Sequence, residues 1–188
     1  MKKRILLIYP PSPVLNREDR CQQPTKDLIV IPPLPPTDLM YLAAVAEKAG
    51  LEAKINDYSQ NGDYEADLKE FNPDYLVVNI ATPTLEHDLD AVKKAKEICP
   101  NVVTIAKGAA FLTLVERIIK EHNELDFGIL GEAENTLKEI NTKLKSIGFK
   151  KVALNLSEID DDESIAVDYS EGSFEYQLPY TINIENTK

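Results

Sequence analysis

The stretch that decides the fold is Arg4–Tyr9, with the sequence RILLIY. Its four consecutive apolar residues, from Ile5 to Ile8, place apolar side chains on both faces of an extended chain, because side chains alternate between the faces of a strand. A strand that is apolar on both faces is typical of the centre of a parallel sheet covered by helices on both sides. Arg4–Tyr9 therefore predicts a central parallel strand.

The chain alternates strand and helix patterns from this stretch to about Lys145. Further strands are predicted at 52–57, 75–80, 102–106 and 127–130. The segment 52–57 alternates, with Ala53 and Ile55 on one side, which predicts an edge strand, whereas 75–80 is another continuous apolar run. Five strand–helix units of this length predict a flavodoxin-like doubly wound α/β sheet of five parallel strands, order 2-1-3-4-5, with right-handed crossovers and helices on both faces.

Residue spacing predicts where the helices begin and which sides they bury. Asp38 is predicted to cap the first helix; Thr82 is predicted to cap the third, with Pro83 at its first position. The predicted buried stripes comprise Leu39, Leu42, Ala43 and Ala46; Tyr64, Leu68 and Phe71; Leu85, Leu89, Val92 and Ala95; Val115, Ile118 and Ile119; and Ala133, Leu137, Ile140 and Leu144.

Length and composition predict one domain followed by a tail. The chain has 188 residues, of which 43% are hydrophobic and 28% charged, as in ordinary globular proteins. We assign residues 1–148 to the α/β domain and 149–188 to an acidic linker and tail, in which 151–156 can add a strand. The run from Glu158 to Glu163 is interpreted as a solvated linker and not as a metal site.

Charge and hydropathy exclude several classes of partner. The net charge of −11 leaves no basic face for nucleic acid. No apolar run is long enough to span a bilayer, and the run after the basic start Met1–Arg4 is too short for a signal peptide, so we expect a cytoplasmic protein without a membrane partner. Cys21 and Cys99 lack metal-ligand spacing and predict neither a disulfide framework nor a zinc site. We expect Cys99 to pack at a helix end and Cys21 to lie in a polar loop.

A ligand of an open α/β sheet binds outside the carboxyl ends of the strands. The segments predicted to lie there are Pro10-Pro11-Ser12, Ala81-Thr82-Pro83-Thr84, Lys107-Gly108-Ala109-Ala110 and Gly131-Glu132-Ala133-Glu134. Thr82 and Thr84 offer hydroxyls beside helix amides, and Gly108 permits close approach of the backbone to a ligand. The alternatives are that the threonines only cap a helix, that Gly108 only makes a turn, and that the glutamates only complement a helix dipole.

Common sites on this fold are absent from the sequence. No G-x-G-x-x-G follows the first strand, and the third predicted strand ends in Asn79-Ile80-Ala81-Thr82 without the aspartate of a phosphoacceptor domain. The loop Pro10–Pro13 is too stiff and too poor in donors for a flavodoxin phosphate loop. His87 and His122 are predicted on helix surfaces without partners, so no nucleophile–base pair is evident.

Taken together, six segments resemble the N-terminal cobalamin-binding domain of cobalamin-dependent radical S-adenosylmethionine proteins. They are Tyr9-Pro10-Pro11, Pro32-Pro33-Leu34, 41–50, 81–84, 107–110 and 131–137. The resemblance implies that cobalamin binds on the strand ends, with its nucleotide tail at the rim of the sheet. The cofactor-binding residues that it implies are Pro10, Pro11, Ser12, Thr82, Pro83, Thr84, Gly108, Ala109, Gly131 and Glu132, with no catalytic residue and no protein ligand to a metal.

The resemblance also implies a partner domain outside this sequence. In that family a C-terminal radical S-adenosylmethionine domain carries C-x-x-x-C-x-x-C, binds an iron–sulfur cluster and cleaves S-adenosylmethionine, and many members are methyltransferases. This chain has two cysteines and no such motif, and 178–183 is similar to the segment ahead of the cluster cysteines. We therefore expect part of a longer, truncated enzyme that is not catalytic on its own.

The altered third loop leaves an alternative open. The third loop reads Lys107-Gly108-Ala109-Ala110 where the family has two glycines, a proline and a histidine. The loop from Pro10 to Ile31 contains no histidine, unlike the D-x-H-x-x-G loop of cobalamin-dependent mutases, so we predict no histidine below the cobalt. The alternative hypothesis is a degenerate domain that kept the fold as a docking or regulatory module.

Overall fold

The computed structural model of the chain describes residues 2–11, 15–18, 21–24, 35–59, 62–129, 133–138, 152–154, 166–168, 175–177 and 181–183. The strands are β1 (Arg4–Tyr9), β2 (Leu15–Glu18), β3 (Cys21–Pro24), β4 (Glu52–Asp57), β5 (Tyr75–Asn79), β6 (Val103–Lys107), β7 (Phe127–Ile129), β8 (Val152–Leu154), β9 (Ala166–Asp168), β10 (Glu175–Gln177) and β11 (Thr181–Asn183). The helices are α1 (Thr37–Lys48), α2 (Tyr64–Phe71), α3 (Leu85–Ile98) and α4 (Ala109–Glu121), and 134–138 is also helical.

The main sheet has the predicted topology. Its order is β4-β1-β5-β6-β7-β8-β9, and the five predicted strands, now β1, β4, β5, β6 and β7, pair in parallel in the order 2-1-3-4-5. The alternating strand β4 lies at the edge, as predicted. Beyond β7, β8 adds a parallel strand and β9 an antiparallel one, so the strand foreseen within 151–156 extends the sheet.

The apolar runs bury side chains on both faces of this sheet. From β1, Leu6 and Ile8 enter a core with α2, α3 and α4, whereas Ile5 and Leu7 enter a second core with α1. All four side chains are fully buried. Placing α1 on one face and the next three helices on the other is what right-handed crossovers require when the chain first moves outward to β4 and then returns past β1.

Both predicted helix caps are wrong. Helix α1 begins two residues earlier than predicted, at Thr37 after the N-cap Pro36. Asp38 lies in its first turn, where its carboxylate binds side chains of the sheet instead of helix amides. Thr82 begins a 3-10 turn, Thr82–Thr84, that follows Ala81 and has no side-chain cap. Pro83 lies inside this turn, where its missing N–H costs no helical hydrogen bond.

The structure also tests the predictions for the two cysteines and for the C-terminal tail. Cys21 begins β3, which pairs with β2 in an antiparallel ribbon, so the polar-loop prediction is wrong. Cys99 is buried directly after α3, as predicted, and burial raises the pKa of its thiol. A second antiparallel pair, β10 with β11, lies in a tail for which the sequence predicted no regular structure. Ile140, Leu144, the side chain of Val115 and the acidic run 158–163 lie outside the described residues.

Candidate functional site

The carboxyl ends of three neighbouring strands bring most of the predicted site residues to one rim. Pro10 and Pro11 follow β1, Thr82–Thr84 follow β5, and Gly108 and Ala109 follow β6. These strands are adjacent and parallel, and the Ile80 amide donates to the Lys107 carbonyl at 2.7 Å. The rim includes the point between β1 and β5 where the strand order reverses, which is the ligand position of this fold. Ser12, Gly131 and Glu132 lie outside the described residues.

The rim residues differ in what they present to a ligand. Pro11, Thr82 and Pro83 are exposed, Gly108 and Ala109 are half-buried, and Pro10 and Thr84 are buried. The exposed residues come from the loops after β1 and β5, on either side of the reversal point. Their side chains can therefore contact a ligand lying across these strand ends.

Thr84 is held by a carboxylate that the sequence did not single out. Its Oγ1 donates to Asp88 Oδ2 at 2.8 Å, and the Ala81 amide donates to the same oxygen at 2.9 Å. Asp88 is fully buried, so these contacts fix the turn from within. The signal in the sequence is an acid four residues after a threonine at a helix start, which is common enough to escape notice.

Gly108 contacts protein where a ligand was expected. Its φ is +118°, and a Cβ on it would lie 2.4 Å from both Asn79 Oδ1 and the Ile80 carbonyl oxygen. Such distances are too short for any side chain. A bulky residue here would therefore push β5 and β6 apart before it could block a ligand, so the fold itself requires Gly108.

A polar cluster lies at the rim on the α1 face. Alternation puts Tyr9 and Lys107 on the face that Ile105 shares with α1. The Tyr9 hydroxyl donates to Asp38 Oδ1 at 2.5 Å, and Lys107 Nζ lies 3.1 Å from Asp38 Oδ2. Lys107 is 8% exposed. The sequence predicts Lys107 in a loop and Asp38 at a helix cap, so it does not indicate this cluster.

Two buried polar atoms near the same rim have no hydrogen-bond partner within the described part of the chain. They are Glu134 Oε2 and Thr136 Oγ1. Both belong to the helical segment 134–138. Ala133, just before this segment, and Leu137, within it, pack in the core on the α1 side of the sheet. Both atoms are covered by protein, so they are unpaired polar groups inside the fold and not contacts for a ligand on the rim.

The two histidines occupy opposite ends of the domain. His87 is exposed near the start of α3, as predicted, and lines an open cleft of about 880 Å³ between α2 and α3 that reaches the rim at Pro11. His122 follows the far end of α4 and lies 3.2 Å, through Nδ1, from Glu124 Oε1. His122 is half-buried just after the helix, so its prediction as a helix-surface residue is wrong, and Glu124 is a partner that the sequence did not indicate. Within the described ranges, no three acidic, histidine or cysteine side chains converge to hold a metal ion.

No helix in the described part of the chain is long and apolar enough to cross a membrane.

Comparison with known proteins identifies the class to which this fold and rim belong. Residues 32–141, more than half of the chain, match the B12 binding domain family, and the chain belongs to that family. It is also 23% identical to the anaerobic magnesium-protoporphyrin IX monomethyl ester cyclase of Cereibacter sphaeroides over 70% of its own length. It spans only 23% of that relative. These matches confirm the resemblance to the N-terminal cobalamin-binding domain of radical S-adenosylmethionine proteins.

Proposed function

We propose that this chain holds cobalamin across the rim formed by the loops after β1, β5 and β6, together with Ser12, Gly131 and Glu132. The observation that carries the proposal is the position of the family match. Residues 32–141 include the loops after β5, β6 and β7, and adjacent parallel strands gather the first two beside Pro10 and Pro11. The family match thus includes the loops after β5 and β6, whereas the loop after β1 precedes it.

The residues at the rim fit the chemistry of a corrinoid. Apolar groups of Pro11, Pro83 and Ala109 suit the face of a large ring. The ring edge carries primary carboxamides, which can donate to and accept from the hydroxyl of the exposed Thr82. Bound cobalamin supplies a cobalt centre that can carry a methyl group, and the residues of this chain bind and orient it.

We further propose that the parent protein is a radical S-adenosylmethionine enzyme in which a C-terminal domain supplies the iron–sulfur cluster and the S-adenosylmethionine. The support is the similarity to the Cereibacter sphaeroides cyclase, of which this chain spans less than a quarter. Methyl transfer is the reaction that we propose for the parent. A product assay on the full-length parent would distinguish methyl transfer from a cyclisation like that named for the relative.

One observation favours the alternative of a docking or regulatory module. The third loop reads Lys107-Gly108-Ala109-Ala110 where the family has two glycines, a proline and a histidine. Met40 and Tyr41 on α1 are also 50% and 60% exposed. Large exposed apolar side chains are typical of protein contacts. A module of this kind would fold as described and would not bind cobalamin.

The decisive experiment is a titration of the purified chain with hydroxocobalamin, followed by equilibrium dialysis and by the visible spectrum. Thr82→Trp adds bulk to an exposed rim residue that makes no side-chain cap. Asn101→Trp is the matched control, because Asn101 is exposed in the turn between α3 and β6, at the opposite end of the sheet.

We expect the wild type and Asn101→Trp to bind alike, and Thr82→Trp to bind at least about tenfold more weakly, a loss of about 1.4 kcal/mol. Absence of binding by the folded wild type would reject the cobalamin function and favour the docking module. Equal binding by all three proteins would show that cobalamin binds elsewhere and not at this rim.

A further inference from the structure

We propose that Lys107 and Asp38 together bind one primary carboxamide at the edge of the corrinoid, with Lys107 donating to its carbonyl oxygen and Asp38 accepting from its N–H. This inference rests on the proposed function and deepens it. Lys107 lies in a segment predicted at the ligand site but is not among the predicted cofactor-binding residues, and Asp38 is predicted only as a helix cap.

The position of the pair makes it reachable by a ligand on the rim. Lys107 is the last residue of β6, and Asp38 lies in the first turn of α1. The side chain of Lys107 is 11% exposed and that of Asp38 is 22% exposed. The pair is therefore desolvated enough for its hydrogen bonds to be strong, yet still open at the rim where a ligand of this fold lies.

The pair has hydrogen-bonding capacity to spare. An ammonium group has three donors, and a carboxylate has about four acceptor positions. Among the described residues, Lys107 donates to Asp38, and Asp38 accepts from Lys107 and Tyr9. A donor and an acceptor thus remain side by side, which is the complement of a carboxamide.

A second lysine–aspartate pair in the same protein makes more hydrogen bonds than the rim pair and serves as a comparison. At the amino ends of the strands, Lys96 Nζ donates to Asp126 Oδ2 and also to the Val102 carbonyl. The same Oδ2 accepts from the amide and the hydroxyl of Thr104. Backbone groups thus form hydrogen bonds with both members of that pair. Among the described residues, no backbone group forms a corresponding bond with Lys107 Nζ or the Asp38 carboxylate.

Charge selects a neutral ligand group. An added anion would meet Asp38, and an added cation would meet Lys107, at a site where burial strengthens both repulsions. A carboxamide has a donor and an acceptor and no net charge, so it can contact both members without breaking their ion pair. Breaking such a pair would leave a poorly solvated charge, which is costly.

The test uses the separated monocarboxylic acid isomers of cyanocobalamin, each with one carboxamide converted to a carboxylate. We expect the wild type to bind cyanocobalamin and most isomers alike, and to bind one isomer at least about tenfold more weakly, because its carboxylate faces Asp38 and has lost an N–H donor. In Asp38→Asn this isomer should regain its affinity relative to cyanocobalamin. Asp126→Asn is the control and should retain the wild-type preference.

The outcomes separate the inference from the function on which it rests. A wild type that binds no cyanocobalamin rejects the proposed function, and the inference with it. A wild type that binds cyanocobalamin and every isomer equally rejects the inference alone, whether or not Asp38→Asn folds. A discriminated isomer that recovers in Asp126→Asn as well, or does not recover in folded Asp38→Asn, also overturns it.

Discussion

Replacing Gly108 with alanine should destabilise the protein severely, although the change adds one methyl group. Two costs combine. The backbone has φ +118° and ψ 175°, a conformation that is nearly confined to glycine and that costs other residues about 1–3 kcal/mol. The new Cβ would also lie 2.4 Å from Asn79 Oδ1 and from the Ile80 carbonyl. Forcing atoms into such a packed site costs about 1–3 kcal/mol more.

The expected loss in the free energy of unfolding is therefore about 2–6 kcal/mol, a large part of the stability of an ordinary domain. Urea denaturation followed by far-ultraviolet circular dichroism measures it through the transition midpoint and slope. Gly50→Ala is the matched control, because Gly50 has φ +86° and a Cβ there would meet nothing within 4 Å. It measures the cost of a positive φ at a position where the added Cβ meets no other atom.

The comparison of the two glycine variants tests the reasoning directly. We expect Gly108→Ala to lose at least about 1 kcal/mol more than Gly50→Ala. If the two variants lose the same free energy, the close contact with β5 contributes nothing, and Gly108 could again be explained by a ligand. If Gly108→Ala retains full stability, the assigned backbone conformation is wrong.

Two further predictions concern a structural carboxylate and the exposed histidine. Hydrogen bonds from Lys54, at 2.7 Å, and then from Tyr58, at 2.5 Å, hold the pKa of Asp67 below its ordinary value. A lowered folded-state pKa stabilises the fold above the ordinary pKa of about 3.9, and this contribution is lost as the pH falls through the folded-state pKa. Asp67→Asn should therefore cost about 1–3 kcal/mol at pH 7 and flatten the acid limb of stability against pH; an unchanged acid limb would contradict this assignment. For bound cob(II)alamin, which presupposes the proposed function, the nitrogen splitting in electron paramagnetic resonance should be the same in the wild type, His87→Ala and the distant control His122→Ala. Splitting that disappears only in His87→Ala would identify His87 as a cobalt ligand.

The sheet could be predicted from the sequence because its determinants are local. The apolar residues of β1 are consecutive, and alternation alone marks β4 as the edge. The spacing of apolar residues along each short segment shows whether one face or both faces of the strand are buried. Cys21 was misplaced because the ribbon β2–β3 has no apolar alternation to mark it.

The polar contacts of the rim could not be predicted, because they join residues that are distant in sequence. Lys107 meets Asp38 across 69 positions, and Tyr9 meets Asp38 across 29. An aspartate just before an apolar helical pattern is most simply interpreted as a cap. Only the pairing of β1 with β5 and of β5 with β6 brings the ends of these strands to the first turn of α1.

The structure divides the rim into residues that shape it and residues that remain available to a ligand. Thr84 and Gly108 were predicted as ligand contacts, but the first is bound to buried Asp88 and the second packs against β5. Both fix the backbone of their loops before any ligand arrives, and a rim ordered in advance loses less conformational entropy on binding. The side chains of Pro11 and Thr82 remain exposed between these fixed points. Substitutions that test ligand contact therefore belong at exposed positions such as Thr82, since changes at Gly108 or Asp88 would alter the folded rim itself.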